Sequence, residues 1–186
     1  MHQATAARKG TSFRIFTFFA ALAACFCIAA PRASAADEPG PCSADSATRQ
    51  FDYWLGDWTI STNENPGTAT SKVTLSLGNC VVTENWRDGK GHSGENFFAY
   101  SFDDHSWRGM FVDNRGHSHV FVDGKVADGA AEFDGPSRGP NGEAVLNRIK
   151  VVRISANEVK QTWEKSTDNG ATWTTVFAGT YSRAKS

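Results

Sequence analysis

Short runs of alternating apolar and polar residues, separated by turn residues, follow one another along most of this chain. The clearest is residues 72–77, where three apolar side chains alternate with three polar ones. Because successive side chains of a strand point to opposite faces, this spacing is typical of a β-strand with one buried face. After residue 51 no stretch shows the spacing of an amphipathic helix, so the sequence predicts an all-β domain.

The runs are evenly spaced, and tight turns join nearly all neighbours in sequence. Their predicted bounds are 58–62, 72–77, 80–86, 96–102, 107–113, 117–122, 125–127, 131–134, 144–155, 158–166 and 172–183. Gly78-Asn79 is predicted to form a two-residue hairpin turn, and Asp123-Gly124 a turn before the weak run at 125–127. About ten strands joined in this way favour an antiparallel up-and-down β-barrel, preceded by one helical turn at residues 46–50.

The first 35 residues have the pattern of a secretory signal peptide. Basic residues precede an apolar stretch at residues 15–30, and Ala33-Ser34-Ala35 is a small-x-small cleavage site. The stretch is too short, and wrongly flanked, for a membrane-spanning helix. We therefore predict an exported protein, periplasmic or secreted, with a flexible leader at residues 36–45 and a barrel domain at residues 46–186.

A second interpretation of the N-terminal segment is a lipid anchor. Leu22-Ala23-Ala24-Cys25 resembles a bacterial lipoprotein box, which would make Cys25 the lipidated first residue. The apolar run continues beyond Cys25, where a lipoprotein usually turns polar, so signal-peptide cleavage is favoured.

Charge and cysteine content restrict the partners of the mature chain. Removing residues 1–35 takes away four of the 19 basic residues and none of the 20 acidic ones, which leaves a formal net charge of −5. Such a domain, without a basic run, is a poor candidate for binding nucleic acid. The two cysteines that remain, Cys42 and Cys80, are expected to form a disulfide in an oxidising compartment, in preference to a metal or catalytic site.

Four blocks of sequence carry a resemblance to a known family. They are FDYWLGDW at residues 51–58, GNCVVTENW at 78–86, FVDN at 111–114 and the segment from Trp163 to Trp173. Together they resemble an uncharacterised family of exported bacterial proteins with a lipocalin-like barrel, over a region from about residue 42 to the C-terminus. The resemblance implies a calycin-type barrel with an interior cavity, and it brings no established reaction.

Two motifs predict structural roles. Gly56-Asp57-Trp58 is similar to the lipocalin Gly-x-Trp element, which implies that Trp58 closes one barrel end beneath Arg183 of the last strand. Residues 166–173 match the Asp-box of sialidases, a hairpin turn remote from catalysis, in which Asp168 accepts backbone N–H groups, Gly170 takes positive φ and Trp173 packs under the turn. A propeller needs several such boxes, so we predict one structural hairpin.

Histidines provide the candidate metal and haem ligands. His117 and His119 are two residues apart on a predicted strand, so both imidazoles could converge on a cation; Asp113, Asp123 or His105 could complete the site. The alternative is a polar hairpin near the surface. Barrels of the nitrobindin type bind haem through a late histidine, but here no histidine follows His119. We therefore predict no cofactor, with a metal or haem as the alternative.

Inward-facing residues define the candidate ligand site. Glu84 shares a strand face with Val82 and Trp86, and a carboxylate inside a barrel needs a partner, a ligand or a raised pKa. Gln161 shares a face with Trp163, but a register error of one residue would turn either polar side chain outward. The predicted ligand-contacting residues are Glu84, Trp86, Tyr100, Gln161, Trp163, Phe177 and Tyr181.

The sequence thus predicts binding of a small apolar or aromatic molecule inside the barrel. Two alternatives remain open. One is a barrel enzyme that uses Glu84 as an acid or base, or a metal held by His117 and His119. The other is a structural or partner-binding envelope protein with a solid core. The sequence does not define the oligomeric state.

Overall fold

The structure, a computed structural model, describes residues 40–62 and 69–184. The predicted signal peptide, the lipoprotein box and residues 36–39 of the predicted leader lie outside this range. The described helices are α1 (Pro41–Ala44), α2 (Ser46–Arg49) and a 3-10 helix (Asp52–Trp54). The strands are β1 (Gly56–Ser61), β2 (Ala69–Ser76), β3 (Val81–Arg87), β4 (Ser93–Ser101), β5 (Ser106–Asp113), β6 (Ser118–Ala127), β7 (Ala130–Arg138), β8 (Ala144–Ser155), β9 (Glu158–Ser166) and β10 (Thr174–Arg183). Among the described residues, no helix has the length and apolar character needed to cross a membrane.

The ten strands form one closed antiparallel barrel. Each strand pairs with its neighbours in sequence, and β1 closes the ring by pairing with β10, in a register that sets Ile60 opposite Tyr181. This confirms the predicted up-and-down barrel with a short helical turn before it. The burial of every second residue along most strands follows from the alternation of side chains between the two faces.

Aromatic side chains fill one end of the barrel. Phe51, which precedes the 3-10 helix, and Trp54, its last residue, are completely buried and stack with ring centroids 5.1 Å apart. Phe51 also contacts Phe98, Phe133 and Trp107 at centroid distances of 5.4 to 5.9 Å. The 3-10 helix therefore acts as a plug, and we call this the closed end.

Trp58 and Arg183 lie together at the closed end. The Arg183 guanidinium is 4.5 Å from the centroid of the Trp58 ring and donates a hydrogen bond to the Leu55 carbonyl. The Trp58 indole N–H donates to the Trp54 carbonyl at 2.8 Å. These contacts join β1, β10 and the plug, which is the arrangement that the Gly-x-Trp resemblance implies.

Cys42 and Cys80 are at disulfide distance, with sulfur atoms 2.07 Å apart, as predicted. Cys42 lies in α1, within the segment predicted as a flexible leader, and is buried. The bond connects this segment to the turn between β2 and β3.

That turn is longer than predicted. Leu77, Gly78 and Asn79 all have positive φ, and the four-residue loop 77–80 joins Ser76 to its partner Val81. The prediction of a two-residue turn at Gly78-Asn79 was therefore wrong. Cys80 lies in the loop, outside β3, because its disulfide directs it toward α1.

Asp123-Gly124 is not a turn, and this prediction was also wrong. Both residues lie inside β6, which continues to Ala127. Gly124 pairs with Trp107 beside a register shift in β5, and a Cβ at this position would come within 2.6 Å of the Phe133 ring. Here glycine makes room for a buried ring, and the chain instead reverses at Asp128 and Gly129, both with positive φ.

The hairpin between β9 and β10 has the local geometry expected of an Asp-box. The Asp168 carboxylate accepts hydrogen bonds from the Thr172 backbone N–H at 2.9 Å and from the Ser166 hydroxyl at 2.7 Å. Gly170 has a φ of 88°, and its carbonyl accepts from the Trp173 indole. The Arg148 guanidinium lies 4.2 Å from the Trp173 centroid, so this hairpin packs against the barrel wall.

Candidate functional site

A cavity of about 380 Å³ occupies the half of the barrel interior away from the plug. Strands β3, β5 and β9 run toward it, and the loops after β3 and β5 contribute His92 and His117 to its mouth. Its lining combines aromatic, neutral polar and charged residues. They are Glu84, Trp86, His92, Asn96, Phe111, Asp113, His117, His119, Gln161, Trp163, Lys165, Val176, Phe177 and Tyr181.

Glu84 lies at the inner end of the cavity, with only 1% of its surface exposed. One carboxyl oxygen accepts from the Ser71 hydroxyl at 2.8 Å and lies 3.1 Å from the Tyr181 hydroxyl. The other accepts from the Asn96 amide at 2.7 Å. Tyr181 also bonds to the Gln161 side-chain carbonyl. Strands β2, β3, β4, β9 and β10 thus contribute to one buried polar cluster.

Burial raises the pKa of Glu84, although hydrogen bonds from Ser71, Asn96 and Tyr181 oppose the shift. Burial, together with the nearby Glu84, raises the pKa of Tyr181 well above its ordinary value. The single hydroxyl proton of Tyr181 can serve only one of its two acceptors. A proton on Glu84 resolves this conflict, because Glu84 can then donate to Tyr181 while Tyr181 donates to Gln161.

Aromatic rings form the walls above this cluster. Phe111 and Trp163 meet edge to face, with centroids 5.1 Å apart. His119 stacks on Phe111 and lies 4.9 Å from the Trp163 ring. The Trp163 indole N–H donates to Asn147 at 3.0 Å, which holds the ring in place. Burial lowers the pKa of His119, with a further contribution from Lys165, so its imidazole is neutral at pH 7.

Asp113 connects two loops at the mouth. One of its carboxylate oxygens lies 2.9 Å from both His92 Nε2 and His117 Nδ1, and its side chain is 3% exposed. Burial alone would raise the pKa of Asp113, but hydrogen bonds from His117 and His92 hold it well below its ordinary value. We call the contacts of Asp113 with His92 and His117 the clamp. The clamp holds the loop after β3 against the loop after β5 and so gives the cavity a defined rim.

The predicted metal pair does not form a recognisable metal site in the described part of the chain. His117 bonds to Asp113 at the rim, whereas His119 is packed between rings further inside. No group of three or more His, Cys, Asp or Glu side chains in residues 40–62 and 69–184 is arranged to hold a metal ion. Strands β9 and β10 present no histidine to the cavity, so the late haem ligand of nitrobindin-type barrels has no counterpart.

The structure brings six of the seven predicted ligand-contacting residues together around the cavity. Tyr100 is the exception: it lies outside the cavity lining and packs against Phe102 and Trp107. Sequence reasoning missed Asn96, Phe111 and Lys165. Asn96 has the same alternation signal as Glu84, since it is two residues before the buried Phe98.

Comparisons with known proteins assign the chain to no family. No family model matches it, and a search of curated proteins gave no match. What can be said about function therefore comes from the geometry of the cavity.

Proposed function

We propose that this protein binds a small, mostly apolar or aromatic molecule in the open half of its barrel, without transforming it. The cavity volume of about 380 Å³ lies within the range of small-molecule sites. Aromatic walls with a few convergent polar groups are the usual composition of such a site. The cavity also favours this function over a structural protein with a solid core.

The observation that carries the proposal is a set of polar atoms left unpaired around the cavity. Within the described residues, Asn96 Oδ1, Trp86 Nε1 and His119 Nδ1 are buried without a hydrogen-bond partner. Buried polar groups are normally paired, because leaving one unpaired costs about 1–3 kcal/mol. Three such atoms on residues that line one cavity support a ligand as the missing partner.

Tryptophan fluorescence tests the proposal. Trp163 lines the cavity, whereas Trp173 lies on the outer hairpin beside Arg148. A bound aromatic molecule should change the emission of the wild-type protein. Trp163→Phe should reduce this change, leaving the part that comes from Trp86 in the lining, and the matched variant Trp173→Phe should keep it in full. The ligand panel should consist of small neutral and acidic aromatic compounds, with binding verified by calorimetry.

Two results would contradict the proposal. One is that no member of the panel gives a saturable heat or fluorescence change. The other is a saturable change that survives in Trp163→Phe and disappears in Trp173→Phe, because the binding site would then lie on the outside of the barrel.

We further propose that the protein is exported after cleavage of residues 1–35 and belongs among exported lipocalin-like barrels. The closed barrel and the Cys42–Cys80 pair are consistent with this assignment. Disulfides persist mainly in oxidising compartments, which agrees with export. Retention of a lipidated Cys25 is the alternative form of the mature protein.

A further inference from the structure

The polar groups at the inner end of the cavity differ from those at its mouth. At the inner end, Glu84, Asn96 and Gln161 are each at most 5% exposed, and Asn96 Oδ1 is an acceptor without a donor among the described residues. At the mouth, β9 contributes a cationic side chain, Lys165, to the cavity lining. A ligand that pairs both ends must therefore differ chemically at its two ends.

The inner end selects for a hydrogen-bond donor. A ligand hydroxyl or N–H placed there would donate a hydrogen bond to Asn96 Oδ1 and could also donate to a carboxyl oxygen of Glu84. An acyl chain in the same position would desolvate these groups without pairing them, which is unfavourable. This argues against a fatty acid held with its tail inward.

The mouth selects for an anion. Lys165 is two residues after Trp163 on β9 and so shares its inward face; it lines the cavity and has no ion-pair partner among the described residues. Asp113, the acidic residue of the rim, is already occupied by His92 and His117. Trp86 also lines the cavity, and its indole N–H has no hydrogen-bond partner among the described residues. This N–H could donate to an oxygen of the bound anion.

We propose that the ligand is an aromatic carboxylate with a hydroxyl or N–H group at its opposite end. The donor group lies against Asn96 and Glu84, the ring lies between the aromatic walls, and the carboxylate lies at Lys165. This inference rests on the proposed function and specifies its ligand class.

Calorimetry with matched compounds tests each end separately. The compounds are 4-hydroxybenzoate, benzoate, which lacks the inner donor, and 4-hydroxybenzyl alcohol, which lacks the anion; 4-hydroxycinnamate, cinnamate and 4-hydroxycinnamyl alcohol form a longer set. The hydroxy acid should bind about tenfold more tightly than the acid without the hydroxyl, because the buried acceptor is otherwise unpaired. It should bind about threefold or more tightly than the alcohol, the effect of a partly exposed ion pair.

Lys165→Gln should remove the advantage of the acid over the alcohol. Lys160→Gln is the matched control, since Lys160 is an exposed lysine on the same strand that faces outward. The inference is overturned if all three compounds of a set bind within twofold of one another, or if Lys165→Gln and Lys160→Gln behave alike. In those cases the proposed function survives, because aromatic compounds still bind. If none of these compounds and no neutral aromatic binds, the proposed function fails as well.

Discussion

Glu84→Gln should change how the stability of the barrel depends on pH. Glu84 is almost fully buried, and burial raises the pKa of its carboxyl group in the folded state. In the unfolded chain the same group titrates near its ordinary value of 4.5. Between these two pKa values the folded protein retains a proton that the unfolded chain has lost.

The sign of the effect follows from this difference in bound protons. Unfolding releases a proton in this range, so the free energy of unfolding falls as pH rises above about 4.5 and levels off above the folded-state pKa. For one proton the slope reaches at most about 1.4 kcal/mol per pH unit. The glutamine side chain does not titrate, so the Glu84→Gln variant lacks this contribution and should gain stability relative to wild type as pH rises.

The glutamine can be accommodated by the neighbouring side chains. With its amide oxygen in the position that accepts from the Asn96 amide, its amide nitrogen can donate to the Tyr181 hydroxyl, as a protonated Glu84 would. The Ser71 hydroxyl, which can donate or accept, can rotate to accept from the same nitrogen. The substitution therefore probes the charge with little change in packing or hydrogen bonding.

Urea unfolding of both proteins between pH 4 and pH 9 measures the difference. Glu95→Gln, which removes a carboxylate from the outward face of β4, corrects for the change in net charge. A wild-type-minus-variant difference that stays constant over this range would refute the reasoning, because Glu84 would then titrate alike in the folded and unfolded chains. A difference that grows in favour of wild type would refute it more strongly.

Two further predictions concern the N-terminal region. Cys42→Ser with Cys80→Ser should lower the free energy of unfolding by about 4 kcal/mol under oxidising conditions, from the loop entropy of a 38-residue separation; unchanged urea midpoints with and without reductant would contradict this. Intact mass of the exported protein should correspond to a chain that begins at Ala36, and a mass that includes residues 1–35, or a diacylglycerol on Cys25, would contradict the predicted cleavage.

The strand order and the facing of Glu84 could be predicted because both depend on local signals: tight turns between neighbouring strands set the order, and alternation along a strand sets the facing. Val82 and Glu84 are both buried, as their two-residue spacing requires. Alternation cannot distinguish a glycine that turns the chain from a glycine that admits a ring. Gly124 is of the second kind, and its neighbour across the sheet, Phe133, is nine residues away in sequence. A glycine and the ring it accommodates can be identified as a pair only once the register between their strands is known.

The clamp at the mouth was unpredictable for a similar reason. His92 lies in a glycine-rich loop, a sequence context typical of an exposed side chain, yet it packs edge to face with Trp86 and bonds to Asp113. His92 lies in the loop after β3, whereas Asp113 is the last residue of β5, 21 residues away. Nothing in either segment alone indicates the other.

Whether an inward-facing aromatic residue packs in the core or lines the cavity depends on the direction of its strand. That direction follows from the order of the strands in the barrel. In an up-and-down barrel, odd-numbered strands end at one rim and even-numbered strands at the other. Trp86 and Trp163 lie in the second half of β3 and β9, so both are near the open rim. Tyr100 is in the second half of β4, which ends at the closed end of the barrel, and it packs with Trp107 there. The plug formed by Phe51 and Trp54 fills that half of the interior. An inward-facing aromatic therefore becomes core or cavity lining according to its position along the strand and the rim toward which that strand runs.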